Sequence, residues 1–406
     1  MTLSEELTWR GFVNQTTFKN TSELDRKKRT FYFGVDPSAP SAQIGNFAAM
    51  MMCRLFIRYG YNPILLLGGA TGRIGDPKDT EERDLKPEEE VDSNVQAIAE
   101  QYKKVFGGNN FTLVNNYDWF KNINYLDFLR DIGKKFSMSQ MLDREFVKAR
   151  VGEGKSGLSY AEFSYSLIQG YDFLHLFKDF GATLQLCGSD QWGNSISGVD
   201  LIRKELGEEA HVWSLPLVID ATTGRKFGKS EGGMTLWLDP KMTSPYKLYQ
   251  FWLNVSDENI ENYLKIFTDI SPAEFDELML EFNENKTDRA AQKYLAFEVT
   301  KLVHGEDIAK SVRRISEVLF SGRDASELTK DDFEALSLEL PKSNKSDILD
   351  FMIETEMAKS KGEARRLIEQ NSVSVNGQKI DDIELKLNGN ALVKKGKNVF
   401  GIFSQK

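Results

Sequence analysis

Three observations predict an α/β fold with a largely parallel, Rossmann-like sheet, followed by an α-helical region and a small α+β tail. Between Thr30 and about Leu238, short apolar runs end in glycine-rich or polar turns and alternate with amphipathic segments. From Ser244 to about Leu340 the periodicity turns helical and charged. Beyond Pro341 a helix-start signal, an alternating run and an Asn-Gly turn follow in close succession.

Taken in order, Thr30–Val35 reads as a buried strand, and Ile44, Phe47, Ala48, Met51 and Leu55 then recur on one face of a helix. Ile64–Leu67 is a second strand, running into the turn Gly68-Gly69-Ala70-Thr71-Gly72. Thr183–Cys187 is a third, ending at Gly188-Ser189-Asp190. Open α/β sheets bind ligands beyond the carboxyl ends of their strands, so these polar loops should converge on one site. Pro341–Ser346 reads as a linker. After it, Ser360-Lys361-Gly362-Glu363 has the form of a capping box, with Ala364, Leu367 and Ile368 as the apolar face of the helix it starts. The opposite face presents Lys361, Arg365 and Arg366. Val373–Val375 alternates as a strand into Asn376-Gly377, and Lys394, Lys395 and Lys397 form a later basic cluster.

The 406 residues exceed one ordinary core, so the expected division is a catalytic domain at 1–238, a helical domain at 239–340 and a small domain at 341–406. The formal charge of −9 argues against a dedicated nucleic-acid binder only if the charge is evenly spread, and it is not. The segment 341–406 carries 12 basic and 9 acidic residues, a charge of +3, which leaves −12 on the first 340. A solvated basic face and an RNA-backbone reader both fit this tail. Cys53 and Cys187 are too few and too far apart for a disulfide framework or a thiolate zinc site. Met1–Arg10 carries Glu5 and Glu6 and no apolar centre, and no apolar run reaches about 18 residues, so a cytoplasmic location is expected.

Three motifs bear on chemistry. Gly69-Ala70-Thr71-Gly72-Arg73-Ile74-Gly75 has glycines spaced like a dinucleotide fingerprint, the basis of an oxidoreductase reading. The amphipathic helix such a fingerprint must open is missing, because Asp76-Pro77 and a charged run follow at once. Gly224–Ser230 resembles a phosphate-binding P-loop but is one residue short; what remains is a glycine-bearing loop with Lys226, Lys229 and Ser230, suited to neutralising polyphosphate. In Tyr160–Phe180, the side chains of Tyr165, Gln169 and Asp172 fall on one helical stripe. A phenol, an amide and a carboxylate then point the same way from an apolar helix, either as a core hydrogen-bond network or as a pocket for a small amphipathic ligand.

With these residues in view, the chain resembles the bacterial tyrosyl-tRNA synthetases. Tyr32-Phe33-Gly34-Val35-Asp36-Pro37, the Gly68–Asp76 turn, Tyr165–Asp172, Gly188–Asn194, Lys226–Ser230 and Trp237–Pro240 occur in that family's order, and the tail resembles an S4-type RNA-binding domain. The resemblance implies a class I ligase that activates tyrosine with ATP to tyrosyl-adenylate, releases pyrophosphate and transfers tyrosine to tRNA. It implies Mg2+ accompanying ATP and no bound prosthetic group. By the same resemblance, Tyr32 and Asp172 would bind the phenolic hydroxyl, Asp76, Tyr165 and Gln169 the ammonium group, and Gln191 the tyrosine where it meets the adenylate. Gly34, Asp36, Ser38, Gly45, Gly188, Asp190 and Lys229 would line the ATP site. Gln43, Asn46, Lys226, Lys229 and Ser230 would serve catalysis, and Lys361, Arg365, Arg366, Lys394 and Lys395 would contact RNA. A homodimer is implied through an insertion around 115–150, with Trp119, Phe120, Phe128 and Leu129 supplying apolar surface.

Three features depart from the family pattern. Its His-Ile-Gly-His signature is here Gln43-Ile44-Gly45-Asn46, which keeps neutral donors but loses any imidazolium charge. The loop after Asp76-Pro77 is one residue shorter, leaving Lys78 or Arg83 as its cation. Phe33 replaces a small residue next to the ribose site. A catalytically weakened paralogue, serving as a tyrosine sensor or an RNA-binding protein, is the alternative these departures raise.

Overall fold

The computed structural model describes residues 1–75, 87–108, 111–142, 145–152, 155, 157–225, 227, 235–321 and 323–405. They form two compact units, one of Met1–Thr243 with Val255–Leu295 and one of Ser244–Asn254 with Ala296–Lys406.

The first unit is built on six strands: β1 (Gln15–Thr16), β2 (Thr30–Val35), β3 (Asn62–Leu67), β4 (Thr112–Asn115), β5 (Ala182–Gly188) and β6 (His211–Leu215). Their order is β1-β6-β5-β2-β3-β4, parallel throughout except for β1 against β6. Phe31, Leu65, Leu184 and Val212 are fully buried, as strands covered on both faces require. The chain winds outward from β2 through β3 to β4, then crosses back to β5 and winds to β6 on the other side. The direction therefore reverses between β2 and β5, and a crevice opens where their carboxyl ends part.

Two helices shape that crevice. The helix Ile44–Arg58 buries all five positions of the expected apolar face, Ile44, Phe47, Ala48, Met51 and Leu55. The helix Tyr160–Phe180 starts at a capping box of Ser159 and Glu162 and ends at Gly181 in the left-handed conformation. It packs against the helix Trp192–Leu206, where a Cβ on Gly198 would stand 2.6 Å from Phe173 Cβ. Only glycine admits this approach, which seats Phe173, and with it the adjacent Asp172, against the sheet.

The second unit contains the helices Pro245–Leu253, Glu306–Phe320 and Lys330–Leu336 and a sheet of β7 (Lys342–Ser343), β8 (Val373–Val375), β9 (Gln378–Lys379), β10 (Ala391–Lys395) and β11 (Val399–Phe403). The sheet order is β7-β11-β10-β8-β9. Leu319, Phe333 and Leu336 share a core with Leu392 and Ile402. The Pro341–Ser346 stretch, read above as a linker, carries β7, which pairs in parallel with β11; a two-residue strand is too short to show alternation. Asn376 and Gly377 both have positive φ, the type I′ geometry that joins β8 to β9. Ser360 caps the helix Lys361–Glu369, accepting from the Glu363 N–H at 3.2 Å.

Candidate active site

The crevice between β2 and β5 holds a cavity of about 470 Å³. β2 contributes side chains to both faces of the sheet, so Tyr32 and Phe33 line opposite sides of the strand end. Tyr32 pairs in register with Gln185 on β5 and packs edge-on against Phe173, placing it on the side of the helix Tyr160–Phe180. Tyr165, Gln169 and Asp172, the predicted stripe, line the cavity from that helix. Phe33 faces the other way, its ring 6.0 Å from that of Tyr102 beneath the helix Ile44–Arg58. The cavity thus has two lobes joined over the end of β2.

Asp172 closes the first lobe. It is 1% exposed and accepts one hydrogen bond on each oxygen, from Trp119 Nε1 at 2.9 Å and Asn116 Nδ2 at 3.1 Å. Burial pushes its carboxyl up to about 8; the two hydrogen bonds oppose the rise and the charge of Asp36 adds to it. In the same lobe the Tyr32 hydroxyl is buried without a hydrogen-bond partner among the described residues. Burial, and then the neighbouring Asp172 and Cys187, holds its proton far more tightly than in water. Among the described residues Gln169 Oε1 and Gln185 Oε1 are also buried without a partner. A buried polar atom without a partner costs about 1–3 kcal/mol. Three in one cavity mark a site shaped for a ligand with its own polar groups.

The second lobe is built from strand ends and a helix start. Gly34 of β2 lines it with Asp36 and Ser38 from the loop that follows, and Gly188 of β5 with Asp190 and Gln191 just beyond that strand. Asp36 accepts from the Tyr165 hydroxyl and from Thr71 Oγ1, both at 2.7 Å. Gln191 Oε1 accepts from Asn194 Nδ2 at 3.2 Å. Gly45 and Asn46 line the cavity from the first turn of the helix Ile44–Arg58. Asn46 Oδ1 accepts the Gln43 backbone N–H at 3.2 Å, which orients the amide and leaves its NH2 as the donor end. Gln43 itself is exposed, is not among the residues lining the cavity, and bridges to Trp237 in antiparallel register.

Asp76, Lys226, Lys229 and Ser230, together with Lys78 and Arg83, lie outside the described residues. The residues flanking the Lys229 loop are described, and both are tied to the same helix start. Phe227 is buried against Tyr263 and Phe267, and its carbonyl oxygen stands 3.3 Å from where a Cβ on Gly45 would be. On the far side, Ile44 N–H donates to Leu236 O and Leu238 N–H to Ala42 O.

The glycine turn after β3 is filled by protein groups. A Cβ on Gly68 would overlap Asp36 Oδ1 and Thr71 Oγ1, and one on Gly69 would overlap Asn115 Oδ1. Gly68 and Gly69 make room for these side chains, and the turn opens only a three-residue 3-10 stretch, Thr71–Arg73, where the oxidoreductase reading needs an amphipathic helix. Thr71, Asn116 and Gln185 are site residues that the sequence reading did not assign, and Trp119, read there as apolar dimer surface, packs against the core and donates to Asp172. A signal existed for Gln185 alone, as a lone amide inside an otherwise apolar strand.

In the second unit, Arg365 and Arg366 are exposed on the helix Lys361–Glu369. Lys361 pairs with Asp350 at 2.6 Å. Lys394 lies over the Phe400 ring and donates to Leu319 O at 3.4 Å, and Lys395 donates to Met357 O at 2.5 Å. Among the described residues no helix is long and apolar enough to cross a membrane.

Comparison with known proteins agrees with this geometry. Residues 24–321 match the family described as tRNA synthetases class I (W and Y), and residues 328–400 match the tyrosine–tRNA ligase SYY-like C-terminal domain. The chain is 40% identical to the tyrosine–tRNA ligase of Limosilactobacillus reuteri over 98% of each chain, and 39% identical to that of Listeria monocytogenes serotype 4a over 100% of each. Among solved structures it is similar to a C-terminally truncated mitochondrial tyrosyl-tRNA synthetase of Aspergillus nidulans, with a TM-score of 0.71, 31% identity and coverage of 79% of this chain and 94% of that one. A parallel sheet with its cavity at the β2–β5 reversal, and full-length identity of this order, together place the chain in the class I tRNA synthetases, among the tyrosine–tRNA ligases.

Proposed function

We propose that the two-lobed cavity activates tyrosine with ATP and that the chain then passes the tyrosyl group to tRNA. The observation that carries this reading is the pairing, in one buried lobe, of the unpartnered Tyr32 hydroxyl with the Asp172 carboxylate. A phenolic hydroxyl entering that lobe donates to Asp172 and accepts from Tyr32, satisfying both groups. Tyr165, Gln169 and Asp76 hold the ammonium group, and Gln191 steadies the carboxylate end. Gly34, Asp36, Ser38, Gly188 and Asp190 hold the nucleoside.

In the first step a carboxylate oxygen of tyrosine attacks the α-phosphorus of ATP, and the bond to the β-phosphate oxygen breaks, so that pyrophosphate leaves. In the second, a terminal ribose hydroxyl of tRNA attacks the acyl carbon and AMP departs. Neither step needs a covalent intermediate on the protein, whose work is alignment and charge stabilisation. Gly45 and Asn46 receive the phosphates, Gln43 supports them, and Lys226, Lys229 and Ser230 neutralise the departing pyrophosphate. Mg2+ enters on the ATP phosphates; among the described residues no three metal-capable side chains cluster into a cage for it.

Arg365 and Arg366 supply the exposed cations for the RNA backbone, with Lys361, Lys394 and Lys395 behind them. The segments 1–238, 239–340 and 341–406 serve as activating, connecting and RNA-reading parts. A homodimer forms through the 115–150 region, where Tyr125, Leu126 and Met138 are exposed, and a role in translation sets the protein in the cytoplasm. Tyrosine-dependent exchange of pyrophosphate into ATP, followed by charging of tRNA, tests the whole. Absence of exchange at high enzyme concentration would overturn the activity and leave the sensor reading.

A further inference from the structure

Two polar side chains with no role in the scheme above run between the lobes. Thr71 is 3% exposed and Asn116 1%. Thr71 donates its hydroxyl proton to Asp36 Oδ1 at 2.7 Å and accepts from Asn116 Nδ2 at 3.2 Å. The same amide nitrogen donates to Asp172 Oδ2 at 3.1 Å. Asn116 Oδ1 is held by the Ala70 N–H at 2.7 Å, so the amide cannot flip without losing a backbone bond. Each proton in this chain has one acceptor, and the chain runs unbroken from Asp36, whose Oδ2 also accepts from the Tyr165 hydroxyl, to Asp172. Gly68 lies beneath the Asp36–Thr71 bond, where any Cβ would displace it.

A chain of this kind transmits order. Each donor strengthens when the group behind it is polarised, and a ligand that fixes Asp172 also fixes the rotamers of Asn116 and Thr71. The second ligand then meets an Asp36 already held in place, so less freedom is lost when it binds. Resting on the assignment of the lobes to tyrosine and ATP, we propose that the Thr71–Asn116 bridge couples them, so that tyrosine bound at Asp172 tightens nucleotide binding at Asp36. Thr71 is a positioning residue: it acts through the carboxylate to which it donates.

The test is titration calorimetry with α,β-methylene-ATP, with and without saturating tyrosinol, which lacks the carboxylate and cannot form an adenylate. Tyrosinol should tighten the wild-type nucleotide Kd by about fivefold or more. Thr71→Val keeps the shape and removes the hydroxyl, and should bring the ratio below about twofold, while Thr71→Ser restores it. Melting curves establish that both variants fold, and Asn116→Ser, which cuts the other link, should abolish the ratio in the same way. An unchanged ratio in Thr71→Val, or no coupling in the wild type, would overturn the bridge alone. Failure of the wild type to bind either ligand would overturn the tyrosine–ATP assignment and the bridge with it.

Discussion

The Trp119 indole N–H donates to Asp172 Oδ1 at 2.9 Å, so the carboxylate at the base of the phenol lobe is held by a residue 53 positions away in the chain. Trp119 also lies 4.3 Å, centroid to centroid, from the His175 ring one helical turn beyond Asp172. Its position is therefore fixed from two sides, and it in turn fixes the carboxylate proposed to accept from the substrate hydroxyl. Trp119→Phe should raise the KM for tyrosine in the exchange assay by about tenfold, the loss of one hydrogen bond to a charged group, with a much smaller change in the KM for ATP. Equal changes in both would assign Trp119 a general structural role.

The protonation of Asp172 gives tyrosine binding a pH dependence. Burial pushes its carboxyl up to about 8 in the ligand-free lobe, and the ionised form is the stronger acceptor for a phenol. Below about pH 8 binding should therefore favour release of a proton, and the Kd for tyrosine should fall as pH climbs from about 6 toward 8 and then level. Calorimetry across this range measures it, and Asp172→Asn should flatten the profile. The folded pKa lies above the value of 3.8 for an unperturbed carboxyl, so the ligand-free protein should also lose stability as pH climbs from about 4 to about 8.

At the phosphate end, Asn46 and Gln43 offer neutral donors where an imidazolium would add charge. Gln43→His should raise the rate constant for exchange by several-fold below about pH 6.5, where the imidazole is charged, and the gain should fade above it. Asn46→Ala removes both the NH2 donor and the acceptor for the Gln43 N–H, and should raise the KM for ATP by about tenfold without altering the Kd for tyrosine.

In the C-terminal segment the five cations proposed to contact RNA are not equivalent. Arg365→Ala and Arg366→Ala should each reduce the slope of log affinity for tRNA against log salt by about 1. Lys394 and Lys395 donate to backbone carbonyls within their own unit. Their replacement by Met should lower the melting temperature more than it changes that slope. Filter binding across a salt series, with melting curves beside it, separates the two classes.

Much of the site was legible because it sits where apolar runs stop. β2, β3 and β5 read as strands ended by glycine or polar loops, and the stripe of Tyr165, Gln169 and Asp172 followed from helical spacing alone. The residues that hold Asp172 were not legible. Asn116 follows β4, an edge strand whose Thr112 and Leu113 are both exposed, so no alternation announces it. Thr71 was hidden inside a glycine turn that suggested phosphate binding, and only the packing of Asp36 over Gly68 explains that turn. Helical periodicity in 255–295 likewise says nothing about which unit it packs with; that depends on long-range contacts such as those of Tyr263 and Phe267 with Phe227.

The most direct measurement compares tyrosine kcat/KM in pyrophosphate exchange for the wild type and Asp172→Ala. The pocket described here predicts tyrosine-dependent exchange in the wild type and a loss of at least about a thousandfold in the variant, with its melting temperature at pH 8 preserved or raised. An unchanged kcat/KM in a folded Asp172→Ala protein would contradict it.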